Sequence, residues 1–187
     1  CGVGGTDVHI YHGEKGSAAV NPPVVLGHEY SGVVTEVGEG VKGLKIGDHV
    51  TIDPNIYCGQ CEFCLTQRPE LCDHLSAVGV TRNGGLAEQF TAPASVVYKL
   101  PDNVSLRDAA AVEPVSCAVH GLDLLELRPY QKALVIGDGF MGQIFAQLLQ
   151  AYGVHQVDLA GIFDEKLQRN KEQFGVTETY NTTREQI

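Results

Sequence analysis

The stretch that decides the fold of the second half of the chain is Lys132-Ala133-Leu134-Val135-Ile136-Gly137-Asp138-Gly139-Phe140-Met141-Gly142. A run typical of a buried strand leads directly into a G-x-G-x-x-G pattern, and an apolar helical segment follows over residues 144–152. In this setting Gly137 permits a tight turn, Gly139 lets the backbone approach a pyrophosphate, and Gly142 allows close packing of helix on strand. The pattern therefore predicts a dinucleotide-binding loop. A plain strand-to-helix turn remains the alternative, because a chain with 22 glycines matches the bare pattern easily by chance.

The residues after this loop continue the alternation of strands and helices. Residues 157–160 form a second predicted strand, 165–174 a second helix, and 178–181 the start of a third strand. This order predicts an α/β domain with a doubly wound parallel sheet. A six-stranded sheet of that kind needs on the order of 150 residues. Residues 130–187 supply well under half of that number, so we expect a domain that is cut off.

The second predicted strand ends without the acidic residue that dinucleotide-binding folds place there for the ribose 2′-hydroxyl. That place holds Gly161, while Asp158 lies within the strand and Asp164 beyond it. Two cations, Lys166 and Arg169, stand on the following helix. The choice between NAD and NADP is therefore open, and we expect weak discrimination against NADP, or a preference for it.

The first hundred residues have a different pattern, with short β-prone runs broken by glycine. These runs are Val24-Val25-Leu26, Tyr30 to Val37, His49 to Ile52, Leu86 to Thr91 and Val96 to Leu100. Helices begin near Ser105, which can cap a helix and form a capping box with Asp108. Pro129 breaks the helical stretch that follows. We therefore expect a β-rich domain over residues 1–128 and a parallel α/β domain over residues 129–187.

Four of the six cysteines fall within one short loop, about residues 58–72, at Cys58, Cys61, Cys64 and Cys72. Gaps of two residues suit one metal ion better than two unstrained disulfides. Four thiolates close a tetrahedron around Zn²⁺ and leave no open position, so the predicted site is structural. An iron-sulfur cluster is the main alternative, but the bacterial pattern requires a shorter last gap followed by proline.

Composition excludes several classes of protein. With 43% hydrophobic and 19% charged residues the chain is globular, and its net charge of −10 disfavours nucleic-acid binding. No apolar stretch approaches the ~20 residues that cross a bilayer. The chain opens on Cys1-Gly2-Val3, with no basic head or apolar signal core, so we expect no signal sequence. We expect a soluble cytoplasmic protein with neither a membrane nor a nucleic acid as partner. The charge also disfavours a zinc-ribbon binding module.

Several other polar residues carry little meaning alone. His28-Glu29, Glu113 and the group Thr6-Asp7-x-His9 are each compatible with surface or capping roles.

Their order along the chain is specific. C-G-V-x-G-T-D-V-H from Cys1, G-H-E at 27–29, the four-cysteine loop, E-P-V-S at 113–116 and V-I-G-D-G-F-M-G at 135–142 follow one another. This series resembles the zinc-dependent medium-chain dehydrogenase/reductase family, and within it the polyol (sorbitol-type) and threonine dehydrogenase branch. The resemblance covers essentially the whole chain. It implies a GroES-like catalytic domain followed by a Rossmann domain, here without the opening strands and without everything after the third Rossmann strand.

The resemblance implies roles for individual residues. His28, Glu29 and Glu113 would surround a catalytic zinc, Thr6 would hold the substrate hydroxyl and begin a proton relay that His9 completes, and Asp7 would orient His28. The four cysteines match the structural zinc lobe. The phosphate loop corresponds to Gly137, Gly139, Phe140, Met141 and Gly142. The implied reaction moves hydride between a secondary alcohol or polyol and NAD or NADP, and a full-length member of the family would be a homo-oligomer.

One departure from the family concerns the catalytic zinc. The first ligand of the family is a cysteine two residues before the threonine, and this chain has Gly4 there. Cys1 and Cys117 are the thiols that could replace it. We therefore expect zinc at this site to be weak or absent. The alternative to an enzyme is an inactive fragment or decayed copy that keeps only the structural zinc.

Overall fold

The computed structural model describes residues 1–14, 20–128 and 130–184 and divides into two compact units, Cys1–Glu113 and Pro114–Ile187. The division falls inside a helix, Val112–Asp123, directly after Glu113. The domain boundary expected at 128/129 stays a prediction, and Pro129, which we expected to break the helical stretch, lies outside the described residues.

The first unit is built on a small antiparallel sheet. Its strands are β1 (Ser31–Val33), β2 (His49–Ile52) and β5 (Val97–Lys99), with β2 in the centre. Two shorter strands, β3 (Asn55–Ile56) and β4 (Ser76–Ala77), pair with each other. The helices are α1 (Gly5–Tyr11), α2 (Glu62–Leu65) and α3 (Leu106–Ala109), and α4 (Val112–Asp123) begins here.

The core of this unit is small. Tyr30, Ile52 and Val78 are buried together, and the ring of Phe90 packs edge-on against Tyr30 with 4.5 Å between the ring centroids. Burial raises the pKa of the Tyr30 phenol well above its ordinary value, with a smaller contribution from the charge of Asp53.

Two of the five predicted strands in this half are wrong. Residues 24–26 and 86–91 are not strands, although the Leu86 N–H donates to the Leu26 carbonyl at 3.0 Å. Pro22 and Pro23 precede the first of these runs and two glycines precede the second, so neither extends into a ladder. The run predicted from Tyr30 to Val37 contributes only β1.

The cap of α3 is confirmed. The Ser105 hydroxyl accepts the N–H of Asp108 at 3.0 Å. In the expected capping box the Asp108 carboxylate would accept the backbone N–H of Ser105. It instead accepts the Ser105 hydroxyl, at 2.7 Å.

The second unit is the predicted α/β domain. Its strands are β6 (Lys132–Ile136), β7 (Gln156–Gly161) and β8 (Thr179–Asn181), all parallel and adjacent in that order. They alternate with α5 (Phe140–Ala151) and α6 (Asp164–Gln173). Leu149, Val157, Leu159 and Leu167 form the centre of its core. Across the described ranges, no helix combines the length and the apolar character needed to span a bilayer.

Candidate functional site

Three residues from two separate parts of the first unit converge on one point. His28 and Glu29 precede β1, and Glu113 lies in the first turn of α4. One imidazole nitrogen and two carboxylate oxygens from these side chains lie within 4.8 Å of one another, and all three residues are partly buried. Carboxylates that approach this closely repel each other unless a cation lies between them. The set can hold a divalent metal through one nitrogen and two oxygens.

The space beside Gly4 belongs to Glu29. A Cβ at Gly4 would lie 2.6 Å from Glu29 Oε1, and a Cβ at Gly2 would lie 2.5 Å from Glu29 Oε2. The Gly2 N–H donates to the Glu29 carbonyl at 2.7 Å and fixes the two segments together. The carboxylate therefore fills the volume that a side chain at position 4 would enter. Sequence reasoning identified the missing thiolate but had no signal for this replacement.

Asp7 links the segment around Gly4 to the segment that carries the candidate metal ligands His28 and Glu29. It is 3% exposed, and its two oxygens accept the N–H groups of Gly4 at 2.9 Å and Gly27 at 3.0 Å. Its Oδ1 also lies 3.9 Å from His28 Nδ1, a buried nitrogen without a hydrogen bond. If Nδ1 donates to Asp7, Nε2 is the nitrogen that can bind a metal.

Thr6 and His9 lie on α1 and are exposed. They are three residues apart, so their side chains are neighbours on the helix surface. His9 Nδ1 contacts the Glu14 carboxylate. Neither residue belongs to the group of three ligands.

The two thiols considered as substitutes for the missing ligand do not belong to the converging group. Cys1 is exposed and donates its thiol to the Gly2 carbonyl at 3.2 Å. Within the described ranges, the groups that bring three or more possible ligands together include neither Cys1 nor Cys117.

The four cysteines of the loop converge as the spacing predicts. Their sulfur atoms all lie within 4.8 Å of one another, and Cys58 Sγ is 3.9 Å from Cys64 Sγ. A tetrahedral zinc site with Zn–S bonds of ~2.3 Å has sulfur–sulfur edges of about 3.8 Å. The four thiols are not joined by disulfides. The donor set and its closed shape fit Zn²⁺ in a structural role.

Backbone groups already favour two of these thiols as thiolates. Hydrogen bonds from the N–H groups of Cys64 and Asp73 lower the pKa of Cys61 to about 6. The Cys58 N–H donates to Cys72 Sγ at 3.3 Å, and this hydrogen bond lowers the pKa of Cys72. The paired strands β3 and β4 flank the loop, and sequence reasoning missed both.

The glycine-rich loop connects β6 to α5 as predicted. Gly137 has a φ of +122°, a value that favours glycine, and its N–H donates to the Ala160 carbonyl at 2.8 Å. A Cβ at Gly142 would lie 1.8 Å from the Gly137 oxygen, so only glycine permits this approach of helix to loop. A Cβ at Gly139 would meet nothing within 4 Å, which leaves open space at the N-terminus of α5. Phe140 and Met141 are exposed there. The unpaired N–H groups of this helix end suit a pyrophosphate.

Asp138, within the same loop, takes a position that the sequence did not indicate. Its Oδ2 accepts the N–H groups of Ile162 at 2.8 Å and Phe163 at 2.7 Å, just after β7 ends at Gly161. The only signal in the sequence was the coincidence of an acid in the loop with a glycine at the end of the next strand.

Comparisons with known proteins agree with this geometry. Residues 1–102 match the family model described as the alcohol dehydrogenase GroES-like domain. D-xylulose reductase A of Aspergillus oryzae is 40% identical over 158 residues, which are 83% of this chain and 44% of that protein. Sorbitol dehydrogenase 1 of Saccharomyces cerevisiae is 37% identical over 184 residues, which are 97% of this chain and 51% of that protein.

A solved structure is similar over both units. It is a Sinorhizobium meliloti 1021 protein assigned as a zinc-binding dehydrogenase and bound to NADP, with 35% identity, a TM-score of 0.93 and coverage of 99% of this chain and 53% of that one. The chain spans about half the length of the curated relatives it matches. It belongs to the zinc-dependent medium-chain dehydrogenase/reductase family.

Proposed function

We propose that the protein containing this chain is a zinc-dependent oxidoreductase that moves hydride between a secondary alcohol or polyol and NAD or NADP. The observation that carries the proposal is the convergence of His28, Glu29 and Glu113 in the unit that matches the GroES-like family. The names of the related xylulose reductase and sorbitol dehydrogenase support a polyol as the substrate class.

The three converging residues would hold a catalytic zinc. A metal ion here supplies Lewis acidity, which lowers the pKa of an alcohol. His28 would bind through Nε2, with Nδ1 turned toward Asp7. Glu29 would provide the oxygen ligand beside Gly4, in place of the sulfur that other members of the family use.

The proton of the alcohol needs a separate path. Thr6 would accept it at Oγ1 while donating its own hydroxyl proton onward, and His9 would pass a proton to solvent, since its ring is exposed. Asp7 is buried and would keep its role as a positioning group.

The second unit would bind the dinucleotide. Gly137, Gly139 and Gly142 shape the loop, and the N-terminus of α5 would receive the pyrophosphate. The Sinorhizobium protein holds NADP, so membership of the family leaves both dinucleotides as candidates. The four cysteines would bind a structural zinc that takes no part in the chemistry. A cytoplasmic location and a homo-oligomeric assembly belong to the same proposal.

The test combines metal analysis with turnover. The purified protein should hold zinc at the four cysteines and at the converging residues, and should reduce a nicotinamide dinucleotide when a polyol is added. His28→Ala should lose one zinc per chain and alcohol-dependent reduction. His12→Ala is the matched control, because His12 is exposed and stands outside the ligand group. One zinc per chain without any turnover would contradict the proposal and support the inactive copy.

A further inference from the structure

The strand end where dinucleotide-binding folds place a ribose-binding acid is occupied by the side chain of Asp138. A Cβ at Gly161 would lie 2.5 Å from Cβ, Cγ and Oδ2 of Asp138. The two positions therefore exclude each other: a residue with a side chain at 161 leaves no room for Asp138 as it stands. The absence of a side chain at Gly161 makes room for Asp138. The carboxylate at the end of β7 therefore comes from the glycine-rich loop and not from β7 itself.

The carboxylate is firmly placed. Asp138 is 6% exposed, and two backbone N–H groups, from Ile162 and Phe163, hold its Oδ2. Hydrogen bonds of this kind fix the orientation of the carboxylate. Among the residues that the structure describes, none makes a hydrogen bond to Oδ1. One oxygen thus anchors the side chain and the other keeps its acceptor capacity.

Three other charged groups after β7, Asp164, Lys166 and Arg184, are engaged with protein partners. Lys166 Nζ lies 4.5 Å from the centroid of the Phe163 ring, and Arg184 contacts Asp164 Oδ2 at 2.6 Å. Asp164 also accepts the Asn181 amide at 2.5 Å, and this bond, with the Arg184 charge, lowers its pKa. Asp164 is therefore committed to Asn181 and Arg184, whereas Asp138 is committed through one oxygen only.

From this arrangement we infer that Asp138 determines the dinucleotide preference of the protein, in favour of NAD. A ribose 2′-hydroxyl can donate to a carboxylate at this position, as it does to the acid at the strand end in such folds. A 2′-phosphate brings negative charge to the same place, and like charges brought together disfavour the wrong ligand. The preference is opposite to the one that Gly161 alone predicts. The inference rests on the proposed function, because it requires that the glycine-rich loop binds a dinucleotide.

Equilibrium binding tests this directly. Calorimetric titration of the purified protein should give a dissociation constant for NAD at least about tenfold lower than for NADP. 5′-AMP and 2′,5′-ADP, which lack the nicotinamide, should differ in the same direction. Because the discrimination is a repulsion between charges, raising the salt concentration should narrow the gap.

Asp138→Asn keeps the size of the side chain and an oxygen for the two N–H groups but removes the charge. It should reduce the ratio of NADP to NAD dissociation constants by about tenfold. The matched control is Asp158→Asn, which removes the same charge from β7 at a side chain hydrogen-bonded to Gln156. It should leave the ratio unchanged. A melting temperature measured for each variant shows whether the fold is kept. If Asp138→Asn does not fold, the titrations of the unmodified protein with NAD and NADP still test the preference.

The outcomes separate the two ideas. If NADP binds as tightly as NAD or more tightly, or if Asp138→Asn folds and leaves the ratio as it was, the inference about Asp138 is wrong while the proposed function stands. If neither dinucleotide nor either adenosine fragment binds, both fail together.

Discussion

Gly4 and Glu29 show how a single residue changes the chemistry of a site. The family's sulfur ligand is absent, yet the volume beside Gly4 is filled by the Glu29 carboxylate. Sulfur is a softer donor than oxygen and binds zinc more tightly, while carboxylates suit harder cations as well. The site with His28, Glu29 and Glu113 should therefore bind zinc more weakly than a site that includes a thiolate.

Replacing Gly4 tests that view. Gly4→Cys should raise zinc affinity at the second site by about tenfold or more, because a thiolate joins the donor set. The added side chain must displace the end of Glu29, a flexible group, so the fold should survive. Competition with a zinc-selective dye measures the affinity. Gly4→Ser is the control, since it makes the same intrusion on Glu29 without a thiolate, and it should not tighten binding. A second zinc that is already tight in the unmodified protein, and unchanged in Gly4→Cys, would show that another ligand completes the site.

Among the elements, the central strand β2 depends on a polar clamp at its beginning. Asp48, which precedes β2, accepts the Lys45 N–H at 2.9 Å. Its Oδ1 also meets the ammonium groups of Lys45 at 3.3 Å and of Lys99 on β5 at 3.1 Å. The Lys45 N–H is the largest cause of the lowered pKa of Asp48, and the two ammonium groups add to it. The clamp thus links a turn to the strand that pairs with β2.

The lowered pKa of Asp48 makes the stability of the fold depend on pH. A carboxyl whose pKa is lower in the folded protein stabilises the fold fully above its ordinary pKa of about 4, and this contribution disappears as the pH falls through the lowered value. Asp48→Asn should therefore lower the denaturant midpoint at pH 7, and the difference from the unmodified protein should shrink below pH 4. Asp102→Asn, at an exposed position just after β5, is the control and should have little effect. A difference that stays constant down to low pH would contradict this account.

Over the whole molecule, sequence reasoning was most successful where local pattern and function agree. The strands and helices of the second unit were predicted because a buried strand followed by an apolar helix gives a strong periodic signal, as at β6 and α5. The cysteine spacing likewise predicted the convergence of the four sulfur atoms.

The predictions that failed concern contacts that pattern does not encode. Residues 24–26 and 86–91 have strand composition but pair only through a few hydrogen bonds near glycines and prolines. The places of Asp138 beside Gly161, and of Glu29 beside Gly4, depend on which side chain fills a space left by a glycine across the fold. The sequence shows each glycine, but it does not show which distant side chain fills the space beside it.

The two compact units should respond separately to the two kinds of ligand. The four cysteines lie in Cys1–Glu113 and the glycine-rich loop lies in Pro114–Ile187. A ligand that binds only the folded state stabilises the structure around its own site, and a metal site of four thiolates contributes directly to folding. Removing zinc with a chelator should therefore increase amide hydrogen exchange across residues 55–77, which include β3, β4 and the cysteine loop. The same treatment should leave exchange over residues 132–161 unchanged, and chelator saturated with zinc is the control.

Adding NAD should slow exchange over residues 137–142 and 162–163, without an effect on the cysteine loop. Exchange that is unchanged in the loop after zinc removal would show that the loop is ordered without metal, because its backbone bonds suffice.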